Sequence, residues 1–309
     1  MGHRLVVPTF FLAAALALAG PASAQGPDFE KVQVRAEKVG EGVWALMSGA
    51  GGNIGVSAGA DGVFLVDDEW APLTPKVKAA VAAISDRPLR FILNTHWHPD
   101  HSGGNENLGE AGALIVAHDN VRRRMSTDQF IEAFGMKVPP SPEKALPVVT
   151  FDNAVTLHVN GDDIQAFHVP PAHTDGDSIV HFRRADVIHM GDLFLAGMYP
   201  FVDLTSGGSF EGLIAAVDRA LALAGEKTRI IPGHGPLATR ADLRAYRDMM
   251  VTVRDRVRPL LQAGKTPAEV ATAKPTADLD PKWGQGFLKP DQFVDIVARS
   301  LAAEAKTRR

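Results

Sequence analysis

The stretch Asn94-Thr95-His96-Trp97-His98-Pro99-Asp100-His101-Ser102-Gly103-Gly104-Asn105 constrains this chain more than any other. It places three of the 11 histidines and an aspartate within six consecutive positions, His96 to His101. Imidazoles fill cores poorly, so such crowding gains nothing from packing. The turn follows residues 89–93, a short apolar run that reads as a buried strand. His96 and His98 stand two apart, so at a strand end both can project into one loop-lined pocket. Pro99 stiffens the passage to Asp100 and His101, and Ser102-Gly103-Gly104 lets backbone come close where the next helix begins. Neutral imidazole and carboxylate are the donors that zinc and related divalent metals accept. A mononuclear catalytic site takes about three protein ligands, and this turn alone offers four donors. Two metal ions are therefore expected.

Two ions need donors from elsewhere, and the chain has no cysteine. Disulfides, thiolate ligands and cysteine nucleophiles are thereby excluded, leaving His, Asp and Glu to hold a metal. Three stretches end strand-like runs in a lone polar residue beside small ones. They are Pro170-Pro171-Ala172-His173-Thr174-Asp175-Gly176, Val187-Ile188-His189-Met190-Gly191-Asp192 and Ile230-Ile231-Pro232-Gly233-His234-Gly235-Pro236.

In order and content, these motifs together with His96-Trp97-His98-Pro99-Asp100-His101 resemble the metallo-β-lactamase superfamily of zinc hydrolases. The resemblance runs over roughly residues 42–246. It implies a four-layer αββα sandwich, two mixed sheets flanked by helices, with the metal site at the seam between the sheets. Carried over position by position, His96, His98 and His173 would hold one Zn2+ ion and Asp100, His101 and His234 a second. Asp192 would bridge them. Asp192 stands where cysteine-using β-lactamases have their zinc-bound cysteine, and His101 where those enzymes usually lack a ligand. The set therefore looks closer to the glyoxalase II and lactonase arrangement. Diiron relatives typically carry Glu at the position of His98, which counts against an iron oxidoreductase. The implied chemistry is hydrolysis of a carbonyl compound by metal-bound hydroxide, with no covalent nucleophile and with Asp100 orienting the nucleophile or moving its proton. A β-lactamase-like hydrolase of a cyclic amide or a related ester or lactone is the first reading. A glyoxalase II-type thioesterase or lactonase is the alternative.

Residues around these donors carry weaker expectations. Asp67 ends a strand and is a candidate to support a ligand histidine or to cap its turn, and His118 is a candidate supporting hydrogen bonder. Trp70, Phe194, Met198, Tyr199 and Phe201 lie in loops near the donors and are candidates for an apolar substrate wall. Trp97 points away from its histidine neighbours by strand alternation. Ser206-Gly207-Gly208-Ser209 reads either as an anion site at a helix start or as a plain helix cap. His158, His168 and His181 fall in strand-like runs and read as ordinary sheet residues.

Residues 1–24 have a positive start, an almost wholly apolar run over 5–18 and an Ala22-Ser23-Ala24 cleavage pattern. This is the form of a secretory signal peptide, and the apolar run is short for a membrane span of about 20 residues. Export is expected, to the periplasm in a Gram-negative cell, with no stable membrane insertion after cleavage. A net charge of −4 gives no broad electrostatic reason to bind nucleic acid. The expected partner is a small molecule with a hydrolysable carbonyl. Residues 25–309 read as one domain with a helical extension from about 265. Strand-like runs alternate with helices over 210–224, 240–262 and 290–305. The irregular stretch 119–150 carries a possible helix over 127–135 and reads as a lid.

Overall fold

The computed structural model describes residues 28–307; the expected signal segment lies outside them. In the first half, β1 (Arg35–Gly40), β2 (Val43–Met47), β3 (Ile54–Gly59) and β4 (Gly62–Val66) form an antiparallel meander. Helix α1 (Thr74–Ile84) crosses over to β5 (Leu89–Leu93), which runs parallel to β4. The short α2 (Pro99–Ser102) and α3 (Asn105–Glu110) lead to β6 (Leu114–His118), also parallel. Then come α4 (Asp119–Met125), a hairpin of β7 (Gln129–Ile131) and β8 (Met136–Val138), and β9 (Val149–Phe151). The sheet order is β1-β2-β3-β4-β5-β6-β9.

The second half builds a sheet in plain chain order from β10 (Ala154–Val159), β11 (Asp162–His168), β12 (Ser178–Phe182), β13 (Val187–His189), β14 (Arg229–Ile231) and β15 (Ala238–Thr239). Helix α5 (Phe210–Leu223) connects the parallel pair β13 and β14, and α6 (Arg240–Gln262) follows β15. Helices α7 (Pro267–Thr272), α8 (Asp280–Trp283) and α9 (Pro290–Thr307) complete the described chain.

Three apolar clusters mark the three seams of an αββα sandwich. Val43, Val66, Leu93 and Val116 of the first sheet meet Ile164, Val180, Phe182 and Ile231 of the second. Val56, Leu65 and Ile92 meet Val77 and Val81 of α1 on one outer face. Ile179, Ile188 and Ile230 meet Leu213, Tyr246 and Val297 of the helices on the other. β4 is buried along its whole length because it has strand neighbours on both sides and layers on both faces. β1 is an edge, and its Arg35-Ala36-Glu37-Lys38 run is exposed, a charged border that discourages sheet-to-sheet association.

The helix expected over 127–135 is instead the β7–β8 hairpin. Phe130 points outward and Ile131 inward, a period of two, and Gly135 closes the turn at φ +58° in the left-handed region. The stretch is also too short to nucleate a helix without packing. The ranges 210–224, 240–262 and 290–305 are α5, α6 and α9. α6 opens with a reciprocal Thr239–Asp242 capping box.

Candidate metal centre

Four loops carry the donors, each following a strand: His96, His98, Asp100 and His101 after β5, His173 after β11, Asp192 after β13 and His234 after β14. Backbone bonds lock these loops together. The Asn53 amide donates to the Gly233 carbonyl at 2.7 Å and the Ser178 amide to the Thr95 carbonyl at 2.9 Å.

All seven predicted donors come together, in two groups. His96, His98, His173 and Asp192 form one, and Asp100, His101 and His234 the other, the donor atoms of each lying within 4.8 Å of one another. Asp192 turns Oδ1 toward the second group, 3.0 Å from His101 Nε2 and 3.4 Å from His234 Nε2. Its Oδ2 lies 3.7 Å from His173 Nε2 in the first. One carboxylate thus faces both groups through different oxygens.

The outer hydrogen bonds of the imidazoles fix which nitrogens face inward as lone pairs. His98 Nε2 sits 3.1 Å from the Asp203 carboxylate and therefore donates to it. His173 Nδ1 donates to the Phe201 carbonyl at 2.8 Å. That leaves His98 Nδ1 and His173 Nε2, both lone pairs if the rings are neutral, facing each other at 2.9 Å. His101 Nδ1 donates to Asp67 Oδ2 at 2.8 Å, so its Nε2 faces Asp192 and, at 3.3 Å, His234 Nε2. His96 Nε2 is buried with no partner at all. Two acceptors in contact repel unless a cation lies between them, and a buried nitrogen without a partner is costly. These residues fit divalent metal ions.

The electrostatics divide the same way. Burial, helped by neighbouring imidazoles, pushes His96 well below its ordinary range and His173 down to about 4, so both rings are neutral. Burial alone would also lower His101 and His234. The carboxylates of Asp192 and Asp100 override it, holding His101 high and His234 up at about 10. Asp100 is drawn down to about 2 because His101 and His234 outweigh its burial. The second group thus concentrates negative potential, which favours a bound cation.

The surrounding side chains explain the precision of this arrangement. Asp67, expected at the strand end, accepts from His101 Nδ1 and also from the Thr95 amide and hydroxyl, each at 2.7 Å. Asp203 escaped the sequence reading. It is buried, accepts from His98, and takes the Ser206 hydroxyl at 2.5 Å. Ser206 in turn accepts from the Trp97 indole at 3.1 Å. The one available signal was Asp203-Leu204-Thr205-Ser206, an Asp followed by hydroxyls that bond back to it. The 206–209 stretch is a cap: Ser209 accepts from the Gly212 amide at the start of α5.

His118, Phe194 and Tyr199 correct the expectations placed on them. His118 touches none of the donors; it caps α4 by accepting from the Asn120 amide and stacks on His168 at 3.7 Å. Phe194 and Tyr199 are not a substrate wall. Phe194 is buried against Tyr246, and Tyr199 is buried in a stack on Phe293 at 4.2 Å, because the loop after β13 turns its aromatics toward the helices. Trp70 donates to the Ala50 carbonyl at 3.0 Å and braces the loop before Asn53. Met198 is half-buried beside Gly286. The ring of Phe201 lies against the donors, 5.5 Å from His173 and 6.0 Å from His98 between ring centres.

Comparison with known proteins agrees with this geometry. The model of the metallo-beta-lactamase superfamily matches residues 49–234. A hydroxyacylglutathione hydrolase of Erythrobacter litoralis is 30% identical over 125 residues, 40% of this chain and 39% of that protein. A probable metallo-hydrolase of Bacillus subtilis is 26% identical over 189 residues, 57% of this chain and 85% of that protein. The chain thus spans well under half of the first relative and most of the second. Among solved structures, the DIM-1 metallo-beta-lactamase superposes with TM-score 0.58 at 22% identity, over 72% of this chain and 99% of that one. At these identities the structural likeness speaks for the fold.

Proposed function

The chain belongs to the metallo-beta-lactamase superfamily, and on that premise we propose that it is an exported hydrolase holding two zinc ions. Its substrate is a small carbonyl compound, a cyclic amide or a related lactone or ester. The observation that carries this reading is the pair of lone-pair nitrogens of His98 and His173 facing each other at 2.9 Å, beside a second group that shares Asp192. When bound, zinc activates water near neutral pH and polarises a carbonyl oxygen.

The chain's own residues supply the rest. His96, His98 and His173 would hold the first ion and Asp100, His101 and His234 the second, with Asp192 facing both groups. Asp203 and Asp67 fix the ring orientation of His98 and His101 and raise their donor strength. Asp100 and His234 have side chains 21% and 17% exposed, so the centre opens on their side. The Asp100 carboxylate, ionised at neutral pH, would orient the attacking water from this open side.

Zinc-loaded protein assayed against a penicillin, a carbapenem, an acyl-homoserine lactone and a glutathione thioester tests this. Turnover of a cyclic amide or lactone is expected, abolished in His98→Ala while circular dichroism stays native. Thioester turnover alone moves the assignment to the second reading, which the hydroxyacylglutathione hydrolase relative favours. Iron in place of zinc on metal analysis overturns the zinc assignment. Export rests on residues 1–24, and protein recovered from the cell envelope is expected to begin near Gln25; an intact Met1 overturns it.

A further inference from the structure

We propose that Phe134, Phe201 and Phe287 form an aromatic arc that seats a flat apolar group of the substrate beside the metal centre. The enzyme then prefers carbonyl compounds with an aryl group next to the scissile bond. This substrate class rests on the carbonyl-hydrolase reading above.

The arc joins the two donor groups. From the first group, His98 and His173 contact Phe201. Phe134 lies 5.1 Å from Phe201, and Phe287 lies 6.0 Å from Phe134. Phe287 in turn lies 5.9 Å from His234 of the second group. On the other side the circuit closes through imidazoles alone, His234 to His101 at 5.3 Å, His101 to His96 at 4.3 Å and His96 to His98 at 4.8 Å. One half of the circuit carries metal donors and the other half carries phenyl rings. A substrate whose carbonyl meets the imidazole half has its neighbouring group among the phenyls.

Exposure separates these rings from ordinary packing. Phe134 and Phe287 are 47% and 44% exposed, whereas Phe201 is buried. Half-exposed apolar rings beside a buried polar centre mark a ligand seat more than a structural element. The rings are inclined to each other by 60° and 62°, and Phe287 to His234 by 67°. The exposed parts of Phe134 and Phe287 offer a flat ring edge-to-face and offset contacts that an alkyl chain cannot make.

The arc is also held in place. The Phe201 carbonyl accepts from His173, which ties the floor of the arc to the centre. Phe134 rides on the β7–β8 hairpin, where Glu132 pairs with Arg299 of α9 at 2.8 Å and the Phe130 carbonyl accepts from Thr205. Phe287 comes from the segment between α8 and α9, packed next to Met198 at Gly286.

Two readouts test the arc, using zinc-loaded full chain. By calorimetry, phenylacetate is expected to bind roughly tenfold tighter than acetate, a ratio that corresponds to about 1.4 kcal/mol. Phe134→Ala and Phe287→Ala should each erase much of that ratio, and Phe287→Trp should retain it. Both rings are half in water, so native circular dichroism and zinc content are expected in the variants and are checked first. In turnover, the kcat/KM ratio of phenylacetyl to acetyl esters of one alcohol should fall in parallel. Equal affinity for the two acids in the wild type, or a ratio that survives both alanine variants, overturns the arc. Tighter phenylacetate binding that disappears in the variants, with no turnover of any carbonyl substrate, upholds the arc and sinks the hydrolase reading instead.

Discussion

Asp203 shows what a single residue outside the donor set does. It holds His98 by Nε2, and its carboxyl is kept well below the usual range because His98 and the hydroxyls of Ser206 and Thr205 outweigh its burial. Asp203→Asn should therefore lower zinc affinity about 10- to 100-fold, read by competition with a chromophoric chelator, while the apo protein melts near the wild-type temperature. Gly233 is the second case. A Cβ there would stand 2.0 Å from Asp192 Oδ1 and 2.6 Å from the Gly191 backbone. Gly233→Ala is expected to displace the shared carboxylate, costing about 1–3 kcal/mol of stability in urea titration together with most of the activity. The seven donors were legible because four sit in one turn, the other three stretches end apolar runs beside small residues, and the resemblance to the superfamily picked the donor in each. Asp203 was not legible: 105 positions separate it from His98, and no local pattern announces the pairing. Phe134 and Phe287 were missed too: Phe134 stands in the stretch 127–135 that reads as a possible helix, and Phe287 between the helices read over 240–262 and 290–305.

Elements followed periodicity wherever burial enforces it. α5 and α6 present one apolar face to the second sheet and appear at their expected bounds, within a residue. The β7–β8 hairpin was misread because a three-residue strand carries too little period to tell from a helical turn. The C-terminal helices depend on tertiary contacts at their start. Tyr199 donates its hydroxyl to Asp280 at 2.8 Å and its amide to the Trp283 carbonyl at 2.8 Å, fastening α8 to the loop after β13. Tyr199→Phe removes the first bond and keeps the stack on Phe293. A loss of about 1 kcal/mol is expected, seen as a lower urea midpoint, with zinc stoichiometry unchanged.

At the scale of the molecule, acid stability follows from imidazoles away from the metal donors. Burial lowers both His118 and His168, and stacking on His168 lowers His118 further. Below their ordinary 6.5 the unfolded chain binds protons that the folded chain resists. The contribution is thus fully present above pH 6.5 and is lost as pH falls through the lowered folded values. Metal-free protein should show a urea midpoint that drops between pH 7.5 and 5, and His168→Asn should flatten that drop. A wider consequence follows from where Phe287 comes from. The superfamily match ends at residue 234 and contains every donor, whereas Phe287 lies beyond it. Phe134 and Phe201 lie within the match, so the proposed preference is written only partly outside the passage that carries the donors. A chimera that exchanges everything after residue 264 with a relative should keep its metal content and lose the share of that preference that Phe287 carries.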